Sequence, residues 1–431
     1  MRNLMLIIIV STTFSLWSGQ IIKRWSLEQS PIFIDGNITI PSNTLLKIEP
    51  GVEIIFTGDH SFRIDGYIEA IGTYEERIVF KGNGESTWSG IIFDFQKSPE
   101  DTLRSLLSNC VIKNAYSKFD PSNPGSGGNG GGVQVEKGNK VTISDCIIED
   151  NDADGYGGGC YVNNSDVWMI NCIVRNNEAD FGGGLYINKS NMRLINNTII
   201  DNVANQDGGA AYHNDSNGEY VNNIIWGNTA QIGMQIYLND DMSDPNFFNC
   251  NVEKGVEDFS GAGSGVFFTG KYVNCISSEP MLERVACDFY ELSSNSPCIN
   301  RGTTDPEIVN LPLYDISGEK RIVGALVDIG SIEYKNVLSI KDENEVRYSA
   351  LDNYPNPFNS TTTLNYVMSI SSEVKITIYD AIGRTIKEIY MDAHEGENNL
   401  KLNFEGLPSG VYYIQLHSKN VTAMKKIHYL K

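Results

Sequence analysis

The middle of the chain repeats itself, and no other feature limits the possible folds so sharply. A two-residue phrase, Asn-Cys or a variant, occurs at Asn109-Cys110, Asp145-Cys146, Asn171-Cys172, Asn196-Asn197, Asn222-Asn223, Asn249-Cys250 and Asn274-Cys275. From Cys146 onward its second residue recurs after 26, 25, 26, 27 and 25 positions. A glycine phrase keeps the same period. Gly157-Gly158-Gly159-Cys160-Tyr161-Val162 returns as Gly182-Gly183-Gly184-Leu185-Tyr186-Ile187 and, altered, as Gly208-Gly209-Ala210-Ala211-Tyr212-His213. Two independent markers in one register mean stacked structural units. The longer first interval, Cys110 to Cys146, places an extra loop around Ser117 to Gly130.

Between the markers the apolar residues alternate. Val141, Ile143, Cys146 and Ile148 correspond to Val167, Met169, Cys172 and Val174, and then to Met192, Leu194, Asn197 and Ile199. A period of two argues strand, and no segment carries a competing helical stripe. The leucine spacing of leucine-rich repeats is missing. The unit is therefore a coil of short strands joined by Gly and Asn turns, pairing in parallel about 4.8 Å from its neighbours. The fold class is all-β. With Ile148 to Asn151, Val174 to Asn177, Ile199 to Asn202 and Ile225 to Asn228 added, the pattern resembles right-handed parallel β-helix proteins of the pectin-lyase-like kind. It also resembles the repeats of polymorphic outer-membrane proteins. The resemblance implies a fold and leaves the activity open.

Arg2 followed by the apolar run Leu4 to Val10 and small residues to Gly19 reads as a signal peptide over residues 1–19. Residues 20–105 read as a β-rich N-terminal entry and cap. Residues 106–335 read as the right-handed parallel β-helix with its closing segment, which resembles the ends of secreted β-helix proteins. Residues 336–350 are a polar linker, and 351–431 a small antiparallel β-sandwich. No other segment approaches the length of a membrane-spanning helix.

The C-terminal stretch holds NYPNPFNSTTTLNY, VKITIYDAIGR and LPSGVYYIQL in order, ending on Lys425, Lys426 and Lys431. These motifs resemble the C-terminal sorting domain of type IX secretion substrates. The residues that carry the likeness are Tyr354, Pro355, Asn356, Pro357, Phe358, Gly383, Arg384 and Gly410. The implied partner is the type IX machinery, and the implied destination is the outer surface or the medium. Pro355 and Pro357 lack backbone donors, so that segment is not a central strand.

Eight cysteines in an exported chain invite a disulfide reading. Five of them, Cys110, Cys146, Cys172, Cys250 and Cys275, share one inward position with Asn197 and Asn223, which predicts an internal Cys/Asn ladder. A bridge between Cys146 and Cys172, or between Cys250 and Cys275, stays open. Cys287 and Cys298 lie outside the ladder and are the expected disulfide.

A net charge of -21 disfavours nucleic acid and anionic surfaces. Three features remain for function. Tyr161, Tyr186, Tyr212 and Tyr237 form a file pointing outward, suited to stacking on sugar rings or, alternatively, on one another. Asp152, Asp154, Glu178 and Asp180 repeat in one turn, with Asp152 over Glu178 and Asp154 over Asp180. Such an array takes Ca²⁺, or is simply a solvated acidic turn. His213 stands where its counterparts face inward, and marks either a cleft or a satisfied buried histidine. No Gly-His-Gly motif of β-helix hydrolases occurs, and Arg175, Lys189 and Arg193 form no tight cluster with the acids. The expected function is a secreted or surface protein that binds carbohydrate, as polysaccharide or a host or cell-surface glycan, or another surface in the manner of an adhesin. A Ca²⁺-dependent lyase or a hydrolase of the same fold, and a passive structural protein, are the alternatives.

Overall fold

The computed structural model describes residues 15–17, 20–84, 87–98, 101, 103–119, 121, 128–285, 289–305, 308–309, 311–322, 326–334, 348–368, 371–380, 384–394, 396–418 and 421–430. Most of the expected signal peptide, the whole expected linker up to Arg347, Gly383 and Cys287 lie outside them. The chain divides into two compact units, residues 1–335 and 336–431.

The first unit is a parallel β-solenoid. Each full coil contributes one strand to each of three long sheets, of eleven, nine and eight strands. In the coil after Gly138, Lys140–Ser144 joins the eleven-stranded sheet, Ile147–Glu149 the nine-stranded sheet and Cys160–Asn163 the eight-stranded sheet. Asp152–Tyr156, between the last two, joins a short four-stranded sheet. Parallel pairing already runs through residues 20–105. Ile21 lies beside Thr44, and Leu45 beside Tyr67. The entry segment is thus made of solenoid coils rather than a separate cap. It lacked the repeat's signature because its coils are shorter and carry neither marker phrase.

The repeat phrases are corner chemistry. Asn109, Asp145, Asn171, Asn196, Asn222, Asn249 and Asn274 all have φ between 50° and 57°. Among residues with a side chain, Asn and Asp tolerate this left-handed conformation best. The residue after each is the inward ladder. Cys110, Cys146, Cys172, Asn197, Asn223 and Cys250 are fully buried, and Cys275 is half-buried. The ladder's cysteines are free thiols. Asn197 donates its backbone N–H and its amide to Asn223 Oδ1 at 2.8 and 2.9 Å. A second ladder stands at the next corner, where Asn151, Asn177, Asn202 and Asn228 each accept from the coil before at 2.9 to 3.1 Å. In the early coils the interior is filled by aromatics instead, with Phe56 and Trp88 stacked at 4.4 Å.

The closing segment follows the last coil of the solenoid. It runs back along the flank as a strap. Tyr290, Leu292, Ile316, Ile329 and Ile332 cover Ile147, Ile173, Ile200 and Ile224, which face outward from the nine-stranded sheet. The left-handed corner residues hold it: Asn171, Asn222 and Asn249 donate to the carbonyls of Tyr314, Thr303 and Arg301 at 2.7 to 3.0 Å. Arg321, fully buried, bridges Glu333 at 2.9 Å and Asn171 Oδ1 at 2.7 Å.

The second unit has two antiparallel sheets, of three and four strands. Their shared core includes Phe358, Leu364, Ile376, Phe404, Ile414 and Tyr429. Phe358 meets Phe404 edge-on at 4.9 Å and stacks on Tyr429 at 5.4 Å. The strand Tyr348–Tyr354 ends where Pro355 begins, and Pro355 O accepts from Thr362 Oγ1 at 2.8 Å. Asn356 Oδ1 accepts from His428 N at 2.9 Å. Arg384 donates from its backbone N and its Nε to the Asp380 carboxylate, and Gly410 opens the strand Gly410–Ser418.

Candidate functional site

The glycine phrase builds the site. Gly157, Gly182 and Gly208 adopt φ of 69°, 66° and 73°. The glycine after each is hemmed in: a Cβ on Gly158 or Gly183 would lie 2.3 Å from a backbone oxygen of the next coil. Only glycine permits this corner. It folds the short sheet tightly against the eight-stranded sheet, and so brings the acidic turn beside the tyrosines.

Cys160 and Val162 point inward and Tyr161 points out, as the alternation predicts. The tyrosines are nevertheless covered. Tyr161, Tyr186 and Tyr212 are 7%, 9% and 7% exposed, and Tyr237 is half-buried. Successive rings stack at 5.6, 4.8 and 4.8 Å. Tyr156 and Phe181 reach over them from the short sheet, with Tyr156 4.6 Å from Tyr186 and Phe181 5.6 Å from Tyr212. The expected open tyrosine face is therefore a packed aromatic seam, and its accessible end is Tyr156, 37% exposed. Burial pushes the phenols of Tyr161, Tyr186 and Tyr212 well up, so they stay neutral. Tyr156 and Phe181 both immediately precede a glycine phrase, one period apart. That second aromatic row was the available signal for them.

Asp152 does lie beside Glu178. Burial, and then repulsion from Glu178, push its carboxyl up to about 6. Beyond Ala153 the pairing slips and Tyr156 comes opposite Phe181, so the expected Asp154–Asp180 pairing is absent from the ladder. Asp154 instead accepts from Tyr116 Oη at 2.6 Å and Phe119 N at 2.8 Å. That hydrogen bond pushes the Tyr116 phenol up to about 12. Asp180 accepts from Gln206 Nε2 at 3.3 Å. Among the described residues no three His, Cys, Asp or Glu side chains gather as a metal site. Asp152, Asp154 and Glu178 are exposed and Asp180 is half-buried, and together they form an acidic rim.

The basic residues expected near the acids are occupied elsewhere. Arg175 is fully buried under the strap, donates to Glu149 Oε2 at 2.5 and 2.9 Å, and lies 5.3 Å from the Tyr290 ring. Arg193 pairs with Glu219 at 3.0 Å, and Lys189 is a left-handed corner residue. His213 is buried in no cleft: its Nε2 lies 2.9 Å from Tyr220 Oη, and burial pushes it down to about 4. Cys298 is buried and its sulfur accepts from Asn251 Nδ2 at 3.2 Å. Its expected partner, Cys287, is outside the described residues. An exposed aromatic that carried no repeat signal is Trp168. It lies in the eleven-stranded sheet with Arg104 and Arg193 4.6 and 5.6 Å from its ring.

Comparison with known proteins accords with both units. Residues 79–252 match the family described as "Right handed beta helix region". Residues 352–429 match the "Secretion system C-terminal sorting domain". The chain is a right-handed parallel β-helix protein with a type IX sorting domain. This β-helix protein is thereby a secreted or cell-surface protein. A search of curated proteins found no match to it. Among solved structures it is similar to the enzymatically active domain of tailspike protein 4 from bacteriophage CBA120. That likeness has 11% identity over 96% of this chain and 68% of the other, with a TM-score of 0.27. A likeness of that degree carries no argument about the activity of the β-helix. Among its described residues no helix is long and apolar enough to cross a membrane.

Proposed function

We propose that this secreted β-helix protein binds an uncharged polysaccharide at the shoulder where Tyr156 ends the aromatic seam. The supporting observation is the juxtaposition itself. An exposed ring, fixed from behind by Tyr186 at 4.6 Å and Phe181 at 5.5 Å, ends the strand that also carries the exposed Asp152 and Asp154. Rings of this kind stack on the apolar face of a sugar, and carboxylates accept its hydroxyl protons. The acidic rim and the net charge of -21 repel uronate and sulfated chains. This favours a neutral ligand and disfavours the lyase alternative, whose substrates are anionic. A passive architectural role is the second reading, favoured by the burial of Tyr161, Tyr186 and Tyr212.

Affinity electrophoresis through gels containing neutral or uronate polysaccharides tests this. The parent protein should be retarded by a neutral polymer only. Tyr156→Ala should weaken retardation about tenfold, the worth of one ring stack, while Tyr156→Phe retains it. Unchanged retardation of Tyr156→Ala would sink the site, and a parent that no neutral polymer retards would leave the architectural reading in its place.

A further inference from the structure

The last coil of the solenoid is its least protected. Its final strand in the eleven-stranded sheet, Tyr272–Val273, pairs with Asn246–Phe248 on one side and, among the described residues, with no strand on the other. Val266 and Phe267 in the same coil are 91% and 60% exposed. The strap departs from this coil, just after Ile276 bridges to Asn251. Whatever holds the coil to its neighbour therefore also holds the root of the strap.

Two ladder cysteines face each other across that boundary. Asn249 and Asn274 take the same left-handed corner, φ 50° and 54°, and aim Cys250 and Cys275 inward one above the other. The backbone N–H of Cys250 donates to Cys275 Sγ at 3.4 Å. Adjacent coils lie about 4.8 Å apart, within the Cα–Cα range a disulfide spans. The other ladder thiols, Cys110, Cys146 and Cys172, are sealed inside. Cys275 is not: it is half-buried and lines an open groove of about 750 Å³, together with Asn300, Arg301 and Leu326. Contact with Cys250 pulls the Cys275 thiol down, while burial pushes Cys250 up. One thiol is thus placed to meet an oxidant and the other to resolve the product.

We propose that Cys275 and Cys250 are a dithiol that external disulfides oxidise to an inter-coil bridge, stapling the last coil after export. The Cys275 thiolate attacks one sulfur of the external disulfide. That S–S bond breaks, one thiol leaves with a proton from solvent, and a mixed disulfide forms. Cys250 then loses its proton to solvent and attacks the Cys275 sulfur, releasing the second thiol. Two protein thiols are oxidised and one external disulfide is reduced. A secreted chain passes through compartments where such disulfides persist.

The purified full chain, incubated with oxidised glutathione and digested without reductant, should yield a peptide linking Cys250 to Cys275. Cys250→Ser should halt the reaction, leaving glutathione on Cys275, and Cys275→Ser should leave Cys250 unmodified. Native-state labelling with a maleimide should reach Cys275 before Cys110, Cys146 or Cys172. Recovery of Cys275 as a stable glutathione adduct in the parent, with Cys250 free, would overturn the bridge. Equal labelling of all four thiols would overturn the groove as its access route. Because both variants change only a ladder position, a circular dichroism spectrum equal to the parent's confirms that the coil is formed.

Discussion

The Asn-Cys phrase assigns two jobs to two neighbouring residues. The first turns the corner with a left-handed backbone and, in several coils, reaches out to a strap carbonyl. The second turns inward to the ladder. Asp145 is the one acidic residue in the corner row, and it illustrates a conflict within that division. Burial pushes its carboxyl up to about 6, against a favourable hydrogen bond from Asn171 Nδ2 at 3.0 Å. A carboxyl raised on folding favours the native state below its ordinary value of 3.8 and loses that contribution as pH climbs to about 6. Above pH 6 the charged form is a constant burden. Asp145→Asn keeps the corner and the acceptor while removing the charge. It should raise stability by about 1–2 kcal/mol at pH 7.5, after discounting for partial exposure, with the gain fading as pH falls from about 6 and gone below 3.8. Denaturant melts at both pH values would measure this, and a gain independent of pH would refute the titration argument. Asn177→Ala belongs to the same scale. It strands the backbone N–H of Asn151 in a dry interior and takes one of two donors from Asn202 Oδ1, which keeps the backbone N–H of residue 177, so it should cost about 2–4 kcal/mol. Loss of less than 1 kcal/mol would show that water enters the ladder.

Strands and corners were legible because each coil restates them. Alternation gave the inward residues of three sheets, and the period gave their register. What the sequence hid at this scale was relation between elements. Tyrosines pointing out of a sheet look exposed until the glycine corner folds a short strand over them. The slip beyond Ala153 is a matter of backbone geometry, and residue spacing alone places Asp154 over Asp180. The path of the strap left the faintest mark in the sequence, since it has no repeat and few regular strands. Its burial of Ile147, Ile173, Ile200 and Ile224 explains why both faces of the nine-stranded sheet are apolar in the central coils. The strap is pinned by Arg321, whose removal would leave Glu333 buried without its cation. Arg321→Ala should cost about 3–5 kcal/mol and release the strap to protease at concentrations that leave the solenoid coils intact. Simultaneous loss of strap and solenoid would mean that they unfold as one.

The whole molecule is a solenoid unit and a sorting unit, each with its own core. A chain ending at Val346 should keep the β-helix fold and accumulate in the cell envelope instead of the medium. Secretion of that truncated form at the parent level would refute export through the C-terminal unit. The sorting motifs could be read directly from the sequence because they are dense and ordered. The proposed ligand site could not, because Tyr156 is a single exposed ring at the end of a stack in which Tyr161, Tyr186 and Tyr212 are buried.

The strap also acts as a measuring tape. It is anchored near one end of the solenoid by Asn249, and far up the stack by Arg77, which donates to Ile316 O at 2.6 Å. Between those two marks the number of coils is tallied against a fixed length of irregular chain. Most repeat proteins gain or lose a unit freely, because each unit touches only its neighbours. Here, deleting one coil would shift every later anchor by about 4.8 Å and leave the tape slack. Coil number in this protein is therefore set by a segment that does not itself repeat.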